Sequence, residues 1–171
     1  MENQNTISPS IELNQDRLNV VEITENDKER FFKSILADKP YEETVKLFDE
    51  QMAIKFRAMT VQENSDVVNQ IVADKKTGVA VDNDAYFITI STYRLGLCLV
   101  SIDDVPYSNI TKESYTPFTE NDSYVLARCK AMRSWSTSRL AVFIDAFKSF
   151  ESKLIKLTTE AQSQNFWKAS A

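Results

Sequence analysis

The chain has 171 residues, 43% hydrophobic and 26% charged, with 20 basic against 25 acidic side chains and a net charge of −5, enough for one domain with a sizeable core. Two glycines are too few for a Gly-rich phosphate loop or a turn-dense β architecture, and the acidic balance disfavours binding through nucleic-acid phosphates. Histidine is absent, which removes the commonest general base, the commonest metal ligand and the Ser-His and Cys-His nucleophile pairs together.

Residues 1–10 are polar, and residues 11–23 alternate weakly through Ile11, Leu13, Leu18, Val20 and Ile23. They predict a flexible or extended N-terminal arm over 1–23, ahead of a single mostly helical domain over 24–171. In "TENDKERFFKSILADKP" a helix is expected, with Thr24 or Asn26 as its cap and Phe31, Phe32, Ile35 and Leu36 as its apolar face. Pro40 should end it near Asp38. The next stretch, "YEETVKLFDEQ", reads as a short second helix burying Val45, Leu47 and Phe48.

The period changes in "MAIKFRAM". Met52, Ile54, Phe56 and Ala58 alternate with Lys55 and Arg57, which predicts a strand. It runs into "TVQE", where Thr60 and Glu63 have capping-box spacing. The helix opening there carries Val67, Val68, Ile71 and Val72 and should stop before Gly78. From Asp84 the chain is strongly apolar. Tyr86–Ser91 are β-rich, but the run is too long for one strand, and Tyr86, Ile90, Tyr93, Leu97 and Val100 keep helical spacing. A long buried helix over about Ala85–Leu99 is expected, with "VSIDDVPY" extended after it and Asp103–Asp104 at a turn.

A polar loop follows, and then Thr119 offers a cap for a helix in "ENDSYVLARCKAMRSW". After a break at "STS" a long helix is predicted from about Thr137 to Ala161. Leu140, Phe143, Phe147, Phe150, Leu154 and Leu157 recur at alternating spacings of three and four, a heptad seam. Such a bulky seam needs a matching groove, supplied by the domain's own helices or by another chain. Phe166 and Trp167 lie beyond the helix and need cover from the core or from a partner. These eight residues are the expected partner-contact surface. The fold class expected is mainly α with a small β element (α+β), a helical bundle with a long C-terminal amphipathic helix.

No set of residues with catalytic or metal-binding spacing emerges. Adjacent carboxylates such as Asp103 and Asp104 point to opposite sides of an extended chain and do not converge. Ser136, Thr137 and Ser138 have no base near them and read as caps. Cys98 and Cys129 read as buried free thiols; a disulfide would need an oxidising compartment. Neither a signal peptide nor a membrane span is visible, so a soluble intracellular protein with no cofactor is expected. Arg128, Lys130, Arg133, Arg139 and Lys148, with Trp135, make a basic stretch that would serve as a solvated face, an acidic-partner surface or a nucleic-acid contact.

The order of these pieces resembles small tail-assembly or baseplate-hub proteins of tailed bacteriophages, over residues 52–167. The pieces are "IKFRAMTVQE", then "LGLCLVSIDDVPY", then "ARCKAMRSW", "SRLAVFIDAFKSFESKL" and "NFW". Asp103–Asp104 stands where an Asn-Gly turn is more typical of that class. The resemblance implies a non-enzymatic hub chaperone, tail-assembly chaperone or minor virion subunit. Its partners would be other tail or baseplate proteins, or a second copy of itself, in the host cytoplasm during assembly or in the particle. The alternative is a nucleic-acid-associated regulator using the basic stretch 128–139.

Overall fold

A computed structural model describes residues 22–78, 83–117, 119 and 122–163. In chain order the elements are α1 (Glu25–Leu36), β1 (Glu42–Leu47), β2 (Met52–Arg57), α2 (Val61–Lys76), α3 (Asn83–Cys98), β3 (Leu99–Ile102), β4 (Val105–Pro106), α4 (Tyr124–Cys129) and α5 (Thr137–Ala161). A 3₁₀ turn over Lys130–Ser134 follows α4. The strands form one antiparallel sheet in the order β1-β2-β3-β4. The class is α+β.

The helix starts are set by side-chain caps. Thr24 and Asp27 form a reciprocal capping box on α1, and Thr60 and Glu63 form one on α2. Ser136 caps α5. On α4 the cap is Ser123, four residues beyond the expected Thr119, and the helix is one and a half turns long before it tightens into the 3₁₀ turn. Gly78, just past α2, has a φ of 74°, the left-handed conformation that glycine adopts without a Cβ penalty.

"YEETVKLFDEQ" is the main departure from expectation. It forms a strand and a turn where a helix was expected. Glu43, Val45 and Leu47 turn inward while Glu42, Thr44 and Lys46 face water, a two-residue period. Six cross-strand pairs, from Glu42 with Arg57 to Leu47 with Met52, outweigh the weak helix preference of Glu, Lys and Leu. The connection passes through Phe48, Asp49 and Glu50, all at positive φ, and leaves Phe48 exposed, against expectation.

The core lies between one sheet face and α5. Ile54 and Phe56 project from β2 into it, and Phe56 meets Phe147 and Phe150 with ring centroids 5.6 Å apart in each case. Phe31, Tyr41, Leu95, Leu99 and Phe143 belong to this cluster, and a second cluster joins α2, α3 and α4 through Val67, Tyr93, Leu97 and Val125. The α3–α4 contact is close at Gly96: a Cβ there would stand 2.5 Å from the Cys129 sulfur. Gly96→Ala should therefore destabilise by about 1–3 kcal/mol, the cost of overpacking a tight site. In a Cys129→Ala background the same change should be close to neutral, because the space is vacated and alanine favours the helix. Urea unfolding of the two single variants and the double variant checks this.

Candidate interaction groove

The seam of α5 meets its own chain. Phe143, Phe147, Phe150 and Leu157 are each at most 2% exposed, and Leu140 and Leu154 are partly buried against the same cluster. Phe143 packs on Trp135 with centroids 4.8 Å apart, and Phe150 stacks on Tyr41 at 6.3 Å. These side chains are thus core in the folded chain. The physical reason is the sheet: β1 and β2 supply the groove that the seam requires. Phe166 and Trp167 lie outside the described residues.

The basic stretch is divided by the fold. Arg128 is buried and donates from Nε to the Gly96 carbonyl at 2.9 Å, from Nη2 to Leu99 at 2.8 Å and from Nη1 to Ile110 at 3.1 Å. It supplies the C-terminal end of α3 with the cation that the helix's own last turn lacks. Tyr107 lies under the guanidinium and donates its hydroxyl to the Arg128 carbonyl at 2.6 Å. Arg139 lies over the Trp135 ring at 4.6 Å. Lys130, Arg133 and Lys148 face solvent. The expected stretch is therefore no continuous basic surface.

A buried ionic network ties α1, β1 and α5 together. The Lys153 ammonium lies 2.9 Å from the Asp27 carboxylate and 2.8 Å from that of Glu43, which also accepts from the Tyr41 hydroxyl at 2.9 Å. Burial works to raise the Asp27 carboxyl, but Lys153 and the Thr24 amide and hydroxyl outweigh it and hold it below the usual carboxylate range. Glu63 shows the same balance: burial opposes, while Arg57 and Thr60 prevail. A depressed carboxylate contributes stability that is full above its unfolded value and is lost as pH falls through the folded one. Acid destabilisation should thus set in below about pH 4.5. In Asp27→Asn the acid limb should be shallower and the neutral-pH urea midpoint lower, as urea titrations between about pH 3 and pH 7 would show.

Both thiols are free, and burial pushes each up to about 12. They are poor nucleophiles as they stand. Asp103 and Asp104 sit at φ 49° and 61° in the two-residue turn between β3 and β4, the type I′ position that Asn-Gly favours. Asp103 also accepts from the Ala53 amide at 2.7 Å, which ties the turn to β2. Among the described residues no three His, Cys, Asp or Glu side chains gather as a metal site would need, and no helix is long and apolar enough to cross a membrane.

The surface feature best suited to recognition lies where α2, α3 and α5 meet. Met59, Thr60, Val61 and Asn64 on one side, Arg94 and Cys98 on a second, and Phe147, Phe150, Glu151 and Leu154 on the third line a cavity of about 290 Å³. Arg94 and Glu151 pair across it at 2.5 Å. Burial raises the Glu151 carboxyl, against the opposing charges of Arg94 and Lys148. The Nε of Arg94 is the one buried side-chain nitrogen or oxygen among the described residues without a hydrogen-bond partner. Val61 on the rim is 88% exposed.

Further exposed apolar side chains lie on α2 and α3. On α2, Val68 (52% exposed) and Val72 (45%) follow Val61 at offsets of seven and eleven, on one helix face. On α3, Phe87 (67%) lies seven residues before Arg94 on the same face. The two helices are antiparallel: Val67 and Leu97 share a core cluster near the cavity, while Lys75 covers the Tyr86 ring at the far end.

Arg94 and Glu151 were not among the residues singled out from sequence. The available signal was Arg94 itself, the lone charge in "ITISTYRLGLCLV", which a buried helix has to pair or expose. No family model matches the chain, and neither a curated protein nor a solved structure matches it.

Proposed function

We propose that this is a non-enzymatic protein that works by contact with other proteins, as a tail or baseplate assembly factor or minor structural subunit of a tailed bacteriophage. The observation that supports the contact reading is the solvent-open, largely apolar cavity where α2, α3 and α5 meet, with the exposed Val61 on its rim and further exposed apolar side chains on α2 and α3. The phage assignment rests on the sequence resemblance over residues 52–167. In this reading the long amphipathic α5 serves as the rod on which the domain is built. The groove, not the phenylalanine seam, then meets other tail or baseplate proteins or a second copy, in the host cytoplasm or in the particle. The acidic surface keeps such a protein soluble until assembly.

Genetic removal tests it. Deleting the coding sequence from a phage that carries it should leave filled heads and incomplete tails by electron microscopy, restored when the chain is supplied in trans. Normal numbers of complete, infective particles would contradict the assignment.

A further inference from the structure

We infer that a second copy of the chain docks on the free edge of β1, joining the two sheets by an antiparallel β1–β1 pairing centred on Thr44. This surface is separate from the cavity of α2, α3 and α5, and the inference does not depend on the phage assignment.

The first observation is the open edge. The order β1-β2-β3-β4 puts β1 and β4 at the sides of the sheet. β4 is two residues long and ends at Pro106, which blunts its side. β1 has six residues, no proline and no bulge.

The second is the direction of its backbone. The Ala58 amide donates to the Tyr41 carbonyl at 2.8 Å, and bonded and non-bonded pairs alternate along an antiparallel ladder. Glu43, Val45 and Leu47 therefore bond to β2, while Glu42, Thr44 and Lys46 turn their amides and carbonyls outward. Ala53, opposite Lys46, agrees: its carbonyl and amide serve Asp103 on the far side. Arg30 donates to the Glu42 carbonyl, which keeps a second lone pair. Among the described residues nothing bonds to the outward groups of Thr44 and Lys46.

The third is charge, and it selects the occupant. Pairs that bond across the edge are drawn from the outward residues of both strands. A two-fold axis at Thr44 sets Thr44 opposite Thr44 and Glu42 opposite Lys46 on either side of it, all on the exposed face. An axis at Glu42 or Lys46 would oppose like charges, and one at Glu43 or Val45 would leave an outward residue unmatched. An edge lysine ordinarily repels an added strand; here the second copy brings the carboxylate that neutralises it. Glu42 pairs with Lys55 at 2.6 Å and Lys46 with Glu50 at 2.9 Å, but these are exposed pairs that rearrange at little cost. An unrelated strand has no such built-in match.

Sedimentation equilibrium of the full chain should show a concentration-dependent dimer. Glu42→Lys and Lys46→Glu each set like charges opposite one another and should each raise the dimer dissociation constant at least about tenfold. Mixed in equal amounts, the two variants regain complementary pairs, and native mass spectrometry should show their heterodimer in excess of either homodimer. Thr44→Pro removes an outward amide, leaves the β1–β2 ladder in place and should weaken the dimer at least as much. All three side chains are exposed, so the variants keep the fold, which circular dichroism verifies. A monomer at up to about 1 mM, a dimer that none of the variants weakens, or a mixture without excess heterodimer overturns the inference. Normal particles after deletion of the coding sequence would remove the assembly role and leave this result standing, so the two failures are distinguishable.

Discussion

Phe150→Ala is expected to lower unfolding stability by about 3–5 kcal/mol, a large share of the roughly 5–15 kcal/mol that holds a domain of this size. Phe150 is 2% exposed and touches Tyr41, Phe56 and Phe147, so truncation removes aromatic contacts to the residue preceding β1, to β2 and within its own helix at once. The loss combines the transfer energy of the ring with that of the cavity left behind, which a sheet on one side cannot close. The urea midpoint should fall with little change in slope. A loss below about 1 kcal/mol would mean that the ring faces solvent. An aspartate at the same position should prevent folding, because an unpaired carboxylate would stand among phenylalanines.

Arg128→Met should cost a comparable amount, about 3–5 kcal/mol, for a different reason. Methionine fills much of the space but donates nothing. The carbonyls of Gly96, Leu99 and Ile110 then lose the guanidinium that joins α3, β3 and the following loop. Arg128→Lys should fall between wild type and Arg128→Met, since one ammonium cannot span three acceptors that a planar fork reaches together. Urea unfolding of the two variants provides the comparison. A stability change within about 0.5 kcal/mol for both would return Arg128 to the surface, and with it the basic stretch as a nucleic-acid contact.

The local chemistry of the fold was legible from sequence. Thr60 three residues before Glu63, and the alternation of Ile54 and Phe56 with Lys55 and Arg57, are patterns that carry their own geometry, and β2 and α2 begin where these patterns place them. Residues 42–47 were illegible for the opposite reason. "EETVKL" satisfies either period over so short a span, and only its pairing partner across the Phe48–Glu50 turn decides between them.

The candidate site was harder still. Heptad spacing shows that Phe143, Phe147 and Phe150 share a face, but not whether that face meets the same chain or another one. The surface it packs on is the face of a sheet whose first strand has no distinctive period in the sequence. The groove depends on three elements separated in sequence, and Arg94 meets Glu151 only once α3 and α5 cross. Arg128 illustrates the same limit: the nearby basic residues Lys130 and Arg133 are exposed, and its partners are carbonyls 18 to 32 residues away.

Nuclear Overhauser contacts from the Phe56 ring measure most directly whether the α5 seam is interior. Phe56 should show strong cross-peaks to the ring protons of both Phe147 and Phe150, whose centroids lie 5.6 Å away. Seam rings with no contact to Phe56, whose signals instead broaden with a soluble paramagnetic agent, would place the ridge on the surface and contradict the architecture derived above.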